Sequence, residues 1–292
     1  EGTDTVYASS NCSIYGSSVE YVILTGTDDI SAYANNTFDV VITGNSGNNS
    51  FTGGAGADTF DGNLGSDTVS YDGSSSAVSI NLLTSSFSGG NAEGDSLSSI
   101  ENIYGTIYAD LLIGDSQDNS LNGGNGDDLL VGGSGADTLV GAQGNDTASY
   151  SSSSSAVSIN MYTRSGSGGD AEGDSLTEIE NIIGSDYDDL LVGSGSTRSL
   201  DGGSGDDTLI GTETSIDTLI GGAGTDTVVY TGDFTDYSFS LDSSTGEIQI
   251  TFSGYFGIYY REITDSVTEI ELFSFNDQTY SLGDVIDQTS FD

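Results

Sequence analysis

The chain has 292 residues and carries 46 acidic side chains against three arginines and no lysine, which gives a formal net charge of −43 at pH 7. So anionic a surface repels phosphates, which excludes nucleic acid as a partner and insertion into an anionic membrane. Histidine is absent and Cys12 is the one cysteine, so imidazole metal sites, histidine-dependent catalysis and internal disulfides are excluded as well.

Two further features limit the class of protein. Hydrophobic residues make up 34% of the chain, a low fraction that together with this charge is typical of disordered proteins. No run of about 18 apolar residues is present, and the first residues lack the basic and apolar regions of a signal peptide. Neither a membrane-spanning helix nor a cleaved leader is therefore expected in this sequence.

A nine-residue repeat argues against disorder. Each repeat has Gly at position 1, an acid or amide at position 6 and an apolar residue at position 8. Steps of nine back from Gly44 reach Asn35 and Gly26, so residues 1–43 are expected to form degenerate coils. A fixed period of this length predicts a solenoid, here over residues 44–229. The repeats form three arrays: 44–70, 105–149 and 184–229.

The composition of one repeat predicts its local structure. Six glycine-rich residues predict a tight turn, and three residues with an apolar centre predict a very short strand. Two repeats then form one coil, so that turn n stacks on turn n+2. The position-8 residues are predicted to form the core: Phe51, Phe60, Val69, Leu112, Leu121, Leu130, Leu139, Leu191, Leu209 and Val228.

The stacking places position-6 acids of turns n and n+2 about 4.8 Å apart, where their charges repel unless a cation lies between them. Carboxylates and turn carbonyls are an oxygen-only donor set, which favours Ca²⁺ over the smaller Mg²⁺. The alternative is that each Asp only caps its own turn. The predicted pairs, for roughly five or six ions, are Asn49–Asp67, Asp110–Asp128, Asn119–Asp137, Asp128–Asp146, Asp189–Asp207 and Asp207–Asp226.

Turn residues complete the predicted ligand set. They are Gly105, Gly123, Asn125, Gly126, Gly132, Gly135, Gly144, Gly184, Gly202, Ser204, Gly205 and Gly224.

Two positions depart from the pattern. The residues one coil before and one coil after Asp58 are Val40 and Ser76, so no acidic partner is predicted for it. Arg198 occupies position 6 of its repeat, and the partner one coil further on is Asp217. We expect an ion pair between these two side chains to replace a bound ion there; the alternative is that Arg198 points to solvent.

The segments between the arrays, residues 71–104 and 150–183, are near copies of each other. They are interpreted as irregular coils of the same stack. Glu93 and Asp95, and their copies Glu172 and Asp174, are candidates for further calcium ligands; the alternative is a solvated acidic loop. The residues expected at position 8 in these segments are Val78, Ile103, Val157 and Ile182.

After Tyr230 the nine-residue period stops, and residues 230–292 are predicted to form a β-rich cap that covers the open end of the stack. The alternating segments that predict strands are 237–241, 247–252, 257–263 and 269–275. The aromatic residues predicted to form the core of the cap, rather than a carbohydrate-binding platform, are Tyr237, Phe239, Phe252, Tyr255, Phe256, Tyr259, Tyr260, Phe273 and Phe275.

The repeats GGNGDDLLV, GGSGADTLV, GGSGDDTLI and GGAGTDTVV resemble the RTX (repeats-in-toxin) nonapeptide. The resemblance implies an all-β chain, a right-handed parallel β-roll in which turn carbonyls and the position-6 Asp of turns n and n+2 hold each calcium ion. It also implies an extracellular or cell-surface protein, exported from a Gram-negative cell by type I secretion. The stretch VTEIELFSFNDQTYSL resembles segments that close such arrays before a C-terminal secretion signal.

Two functions agree with these features. The first is a calcium-binding structural module of a secreted surface protein: an adhesin, a surface layer, or a matrix or filament component. The second is the C-terminal appendage of a secreted protease, lipase or alginate epimerase. No HExxH motif or nucleophile elbow occurs, so the chain itself is not expected to be an enzyme. Ice binding is disfavoured because no regular TxT ladder is present. Besides calcium, the partners expected are a second copy of the chain or cell-surface and matrix components.

Overall fold

The protein is described by a computed structural model that covers residues 2–16, 18–212, 217–242, 244–256 and 259–289. Within these ranges, the side chains of residues 35, 36, 254–256, 259–262, 288 and 289 are not described. The chain divides into two compact units, Glu1–Thr147 and Ala148–Asp292. No helix in the described part of the chain is long and apolar enough to span a membrane.

The N-terminal unit is built from very short strands. They are β1 (Thr5–Ala8), β2 (Cys12–Ser13), β3 (Tyr21–Leu24), β4 (Ser31–Asn36), β5 (Val41–Thr43), β6 (Ser50–Gly54), β7 (Thr59–Asp61), β8 (Thr68–Ser70), β9 (Ser79–Asn81), β10 (Ser86–Ser88), β11 (Ser96–Ser98), β12 (Asn102–Thr106), β13 (Leu111–Ile113), β14 (Ser120–Asn125), β15 (Leu129–Val131) and β16 (Thr138–Gln143). β17 (Thr147–Ser149) spans the boundary between the units.

The C-terminal unit continues with strands of the same kind and ends in longer ones. They are β18 (Ser158–Asn160), β19 (Ser165–Ser167), β20 (Ser175–Thr177), β21 (Asn181–Ile183), β22 (Leu190–Val192), β23 (Ser199–Ser204), β24 (Thr208–Ile210), β25 (Thr218–Ala223), β26 (Thr227–Val229), β27 (Tyr237–Leu241), β28 (Ile248–Phe256), β29 (Tyr259–Thr268), β30 (Leu272–Ser274) and β31 (Thr279–Ser281). One helix, α1 (Leu282–Thr289), follows β31.

The strands stack as the repeat predicts. In the N-terminal unit, β13 pairs in parallel with β15, and Leu112 lies opposite Leu130, two repeats further along the chain. In the C-terminal unit, β22 pairs in parallel with β24, and Leu191 lies opposite Leu209. Two nonapeptides therefore form one coil, and the all-β parallel roll is confirmed.

The first coils are less regular, as expected for residues 1–43. β1, β3 and β5 form parallel pairs, but the step from Thr5 to Tyr21 is shorter than two repeats and the step from Tyr21 to Val41 is longer. Their strands still stack on the later coils of the same unit, since β5 pairs with β7. The stack thus begins before the first regular repeat at Gly44.

The core of each unit is the column of position-8 side chains. All ten predicted residues are at most 1% exposed, from Phe51 to Val228. Their neighbours in each three-residue strand face outward by the alternation of side chains along a strand, as in β15, where only the central Leu130 is buried. Each coil thus contributes one large side chain from each of its two short strands. This is a small core for a chain of such high charge.

The register of the two insert segments differs from the prediction at one point in each. Ile103 lies opposite Val69 and Leu121, and Ile182 lies opposite Leu200, as expected. In contrast, Ile80 lies opposite Leu112 and Ile159 opposite Leu191. The prediction for Val78 and Val157 was therefore wrong by two residues, because the serine-rich turn before each strand is longer than the turn of a repeat.

The C-terminal strands continue the sheets and then turn back. β29 pairs in parallel with β25 and antiparallel with β28, which forms the predicted hairpin with β27. Tyr237 and Phe275 are buried, with ring centroids 5.2 Å apart, and Phe273 is fully buried, as predicted for a cap core. Phe239 and Phe252 are half-buried. The side chains of Tyr255, Phe256, Tyr259 and Tyr260 lie outside the described residues.

Candidate metal centres

The position-6 side chains form a ladder of hydrogen bonds inside the turns. The backbone N–H of Asp110 donates to Oδ1 of Asp128 at 2.8 Å, and that of Asp189 donates to Oδ1 of Asp207 at 2.8 Å. Each carboxylate thus contacts the position-6 residue of the preceding coil. The same bond joins the other predicted pairs: Asn49–Asp67, Asn119–Asp137, Asp128–Asp146 and Asp207–Asp226.

The second oxygen of many of these carboxylates has no hydrogen-bond partner although water does not reach it. Leaving a buried carboxylate oxygen without a donor is unfavourable by a few kcal/mol or more, so such atoms indicate a missing positive charge. The residues are at most 2% exposed. The Oδ2 atoms concerned, among the described residues, include those of Asp58, Asp67, Asp128, Asp207 and Asp226.

The position-1 glycine of each turn makes room for this oxygen. A Cβ on Gly123 would overlap Oδ2 of Asp128, and a Cβ on Gly202 would overlap Oδ2 of Asp207. At position 4, a Cβ on Gly126 would overlap the backbone carbonyl group of Tyr108 in the preceding coil. Any side chain at these positions would fill the space between stacked turns.

The predicted glycine ligands thus fall into two sets. Those at position 1 are Gly105, Gly123, Gly132, Gly184 and Gly202, and those at position 4 are Gly126, Gly135, Gly144, Gly205 and Gly224. Asn125 and Ser204 lie at position 3, in β14 and β23.

The donor set consists of oxygen atoms. Within the described ranges, no group of three or more acidic, cysteine or histidine side chains is placed to hold a metal ion. An ion in these turns therefore depends on backbone carbonyls as well as on paired carboxylates. Hard cations that accept six to eight oxygen ligands in flexible geometry, above all Ca²⁺, fit such a site.

Burial also changes the acidity of these carboxyl groups. It raises the pKa of Asp128 and Asp207 to about 7; the bond from a backbone N–H opposes the rise, and the neighbouring acids add to it. For the same main reason the pKa of Asp58 and Asp67 is raised to about 6. Without a cation, the charged form of each group is thus less favoured than in an exposed carboxylate.

Four predicted ligands differ from the others because a backbone N–H of their own turn donates a hydrogen bond to the side-chain oxygen. Oδ2 of Asp110 accepts the N–H of Thr106 at 2.6 Å, and Oδ2 of Asp189 accepts the N–H of Ser185 at 2.5 Å. Here Asp caps its own turn, which was the alternative interpretation. The side-chain oxygens of the two amides are bonded in the same way: Asn49 by the N–H of Asn45 and Asn119 by the N–H of Asp115.

The prediction that Asp58 has no acidic partner was wrong. Its Oδ1 accepts the N–H of Val40 at 2.9 Å, as expected, but its own N–H donates to Oδ1 of Asp95 at 2.7 Å. Asp95 rather than Ser76 therefore follows Asp58 in the ladder. The first part of the insert lies between Asp58 and its partner, so the two are 37 residues apart. A constant step of two repeats does not predict this pairing.

The other insert acids have different surroundings. Oδ2 of Asp95 accepts a hydrogen bond from the hydroxyl of Tyr71 at 2.9 Å, and Oδ2 of Asp174 accepts one from Tyr150 at 2.9 Å. Glu93 accepts the N–H of Gly89 within its own exposed loop. Its copy, Glu172, does the same with the N–H of Gly168.

The prediction for Arg198 was also wrong. Its side chain is exposed, as in the alternative interpretation that it points to solvent. Thr197 is buried in its place, and its Oγ1 accepts the N–H of Ser194 at 2.7 Å, which makes this turn one residue tighter. Asp217 is fully buried, and its N–H donates to Oδ1 of Asp265 at 3.1 Å.

Three acids that end the ladders were not predicted from the sequence. The N–H of Asp67 donates to Oε2 of Glu101 at 2.8 Å, and that of Asp226 donates to Oε2 of Glu271 at 2.9 Å. Asp265 is the third such residue, and its pKa is raised to about 7 by burial. The recurring Ile-Glu pair at 100–101 and 270–271 is a signal that could have found the two glutamates.

A second ladder at position 5 was missed as well. Oδ1 of Asp127 accepts the N–H of Asn145 at 2.9 Å, and Oδ1 of Asp188 accepts the N–H of Asp206 at 2.8 Å. These side chains are exposed, and each bonds to the following coil rather than the preceding one. The frequent Asp or Asn at position 5 is its sequence signal.

Comparison with protein families agrees with the geometry of the turns. The model of the RTX calcium-binding nonapeptide repeat matches residues 41–69, 98–130, 113–148, 177–209 and 201–233. The chain therefore carries RTX calcium-binding nonapeptide repeats. No curated protein matches it. The matched RTX repeats lie on the three arrays and leave out Asp95 in the insert and Asp265 in the cap, two acids that extend the ladders.

Proposed function

We propose that the chain is a calcium-dependent structural module of a secreted RTX surface protein, such as an adhesin, a surface layer, or a matrix or filament component. The observation that supports it is the repeated, buried Oδ2 atom without a hydrogen-bond donor, as in Asp128 and Asp207. One or a few such atoms could be an accident of side-chain placement. Their recurrence in both units indicates a common cation requirement.

Calcium binding is then coupled to folding. The chain has a net charge of −43 and a narrow apolar core, so apolar burial is too small to offset both chain entropy and repulsion between acids. Ions that bind only the native turns contribute their binding free energy to folding. Extracellular calcium sites have Kd values of about 0.1–1 mM, so the module is unfolded inside the cell and folds after export.

The surface role and the appendage role depend on the same calcium chemistry. We infer no catalytic activity for this chain, because it has no histidine and no nucleophile motif. The sequence of the complete gene product separates the two roles: an adjoining protease, lipase or epimerase domain would support the appendage. Type I export from a Gram-negative cell is part of both proposals.

Circular dichroism of this chain tests the calcium requirement. In excess EDTA we expect the strand signal and the cooperative melting transition to be lost, and millimolar CaCl₂ should restore both. Full strand content and cooperative melting in EDTA would contradict the proposal.

A further inference from the structure

The turns of this chain are of two kinds, and we propose that the second residue of each turn decides whether the turn binds calcium. The inference rests on the proposed calcium function and adds to it which turns take an ion. Turns whose second residue has a positive φ angle, here called open turns, bind calcium. Turns whose second residue does not, here called closed turns, hold their position-6 side chain with protein donors instead.

Open turns share one backbone feature and one unsatisfied atom. In the turn of Asp128 the second residue is Gly124, with φ 100°, and in the turn of Asp207 it is Gly203, with φ 96°. In both, Oδ2 of the position-6 Asp has no hydrogen-bond donor. The remaining second residues of this kind are Gly54 (φ 122°), Asn63 (φ 68°) and Gly222 (φ 99°), in the turns of Asp58, Asp67 and Asp226.

Closed turns have the opposite arrangement. No second residue of these turns has a positive φ angle, and each donates its backbone N–H to the position-6 side chain of its own turn. Among the described residues the donors are Asn45 to Asn49, Thr106 to Asp110, Asp115 to Asn119, Ser185 to Asp189, and Thr212 to Asp217.

The side chain of the second residue strengthens the closure in two of these turns. The hydroxyl of Thr106 donates to Oδ1 of Asp110 at 3.0 Å, and the hydroxyl of Ser185 donates to Oδ1 of Asp189 at 2.8 Å. A further backbone N–H, from Val78, donates to Oδ1 of Asp110. Three donors therefore surround this carboxylate and satisfy its charge without a metal ion.

In a closed turn the position-2 N–H occupies the space next to Oδ2 that an ion would need. The N–H or O–H hydrogen carries a partial positive charge and lies where an ion would sit about 2.4 Å from the oxygen. In open turns the position-2 N–H makes no bond to Oδ2. An ion can therefore bind this buried and otherwise unsatisfied carboxylate oxygen. Two differences, in the φ angle of the second residue and in the hydrogen-bond donor to Oδ2, thus divide turns with the same Asp at position 6 into calcium-binding and calcium-free ones.

The nonapeptide pattern does not make this distinction, because the turns of Asp110 and Asp189 also lie within the matched residues. Glycine adopts a positive φ angle without strain, whereas Thr, Ser and Asp rarely do. A repeat that begins Gly-Gly is therefore open, and one that begins Gly-Ser, Gly-Thr or Gly-Asp is closed.

Substitution at position 2 tests the proposal. Thr106→Gly and Ser185→Gly each remove a hydroxyl donor and permit a positive φ angle, so each should raise the number of bound calcium ions by about one in calorimetric titration. Ser194→Gly is the matched control: its turn is closed onto Thr197, which offers no carboxylate, so the number of ions should not change.

The outcomes separate this inference from the proposed function. If the unaltered chain binds no calcium, both are overturned. If it binds calcium but Thr106→Gly and Ser185→Gly bind no more ions than Ser194→Gly, the inference alone is overturned. A crystal structure of the unaltered chain with calcium gives a second test, which does not depend on a variant: ions should contact Oδ2 of Asp128 and Asp207, and an ion on Oδ2 of Asp110 would contradict the inference.

Discussion

The position-6 aspartates carry their charge where water does not reach, which links calcium binding to pH. Burial raises the pKa of Asp128 and Asp207 to about 7 and that of Asp58 and Asp67 to about 6, from an ordinary value of 3.8. A carboxyl whose pKa is higher in the folded state binds its proton more tightly there. The folded state without calcium is thus favoured at low pH and loses this stability as the pH rises from about 4 through 6 to 7.

We therefore expect the calcium-free chain to regain part of its strand signal as the pH falls from 8 to 4.5. In saturating calcium the strand signal should depend much less on pH, because the ion holds the same carboxylates in their charged form. Circular dichroism in EDTA and in saturating calcium, across this pH range, measures the two quantities. A strand signal in EDTA that does not increase toward pH 4.5 would contradict the assignment of these aspartates.

Tyr71 satisfies a buried acid without metal. Its hydroxyl donates to Oδ2 of Asp95, in the place where Asp128 has no donor. Tyr71→Phe should leave that oxygen unsatisfied and reduce the free energy of unfolding in saturating calcium by about 1–3 kcal/mol. Tyr104→Phe is the control, because Tyr104 is 42% exposed, and its change should stay within about 0.5 kcal/mol. Equal effects in urea unfolding would show that the Tyr71–Asp95 bond is not stabilising.

At the scale of the element, the ladder rather than the single turn is the functional arrangement. Asp128 lies between two acids of its ladder, Asp110 and Asp146. Asp58 lies between Val40, which offers no side-chain oxygen, and Asp95, whose second oxygen is taken by Tyr71. The two aspartates are equally buried and both have an unsatisfied Oδ2, so they form a matched pair for mutation.

Asp128→Ala should remove more bound calcium than Asp58→Ala, because the next acid in its ladder, Asp146, lies in an open turn whose second residue has φ 75°. The acid that follows Asp58 is Asp95, whose Oδ2 is taken by Tyr71. Calorimetric titration of both variants against the unaltered chain gives the comparison. Equal losses would mean that ions do not depend on the neighbouring coil, contrary to the stacking of turn n on turn n+2.

At the scale of the whole molecule, a net charge of −43 destabilises the compact state by repulsion, and any salt reduces that repulsion. Screening of the repulsion by salt can be distinguished from coordination of the carboxylates by calcium. Sodium chloride at 1 M shortens the Debye length to about 3 Å but does not supply a ligand sphere to buried oxygens such as Oδ2 of Asp207.

We expect 5 mM CaCl₂ to fold the EDTA-treated chain, whereas 1 M NaCl leaves most of the strand signal absent. Magnesium at 5 mM should be less effective than calcium, because it requires near-ideal octahedral geometry and loses its water reluctantly. The strand signal in circular dichroism reports all three conditions. Full refolding in NaCl alone would indicate that repulsion, not coordination, keeps the chain unfolded.

The sequence by itself determined the contacts that repeat at a constant spacing along the chain. Gly44 and the repeats after it set a period of nine, and because every coil is then the same length, position-8 residues such as Leu130 must stack into the core. The same step brings Asp110 to Asp128 and Asp189 to Asp207, so the acid pairs of the arrays were predictable.

The tertiary structure decided what a constant step does not reach. Asp58 meets Asp95 across 37 residues and Asp217 meets Asp265 across 48, since segments of irregular length fold out and return to the stack. It also decided which carboxylates are satisfied within their own turn. That depends on the φ angle of one residue, Gly124 in one turn and Thr106 in another, which sets whether a backbone N–H bonds to the buried oxygen or leaves it without a donor.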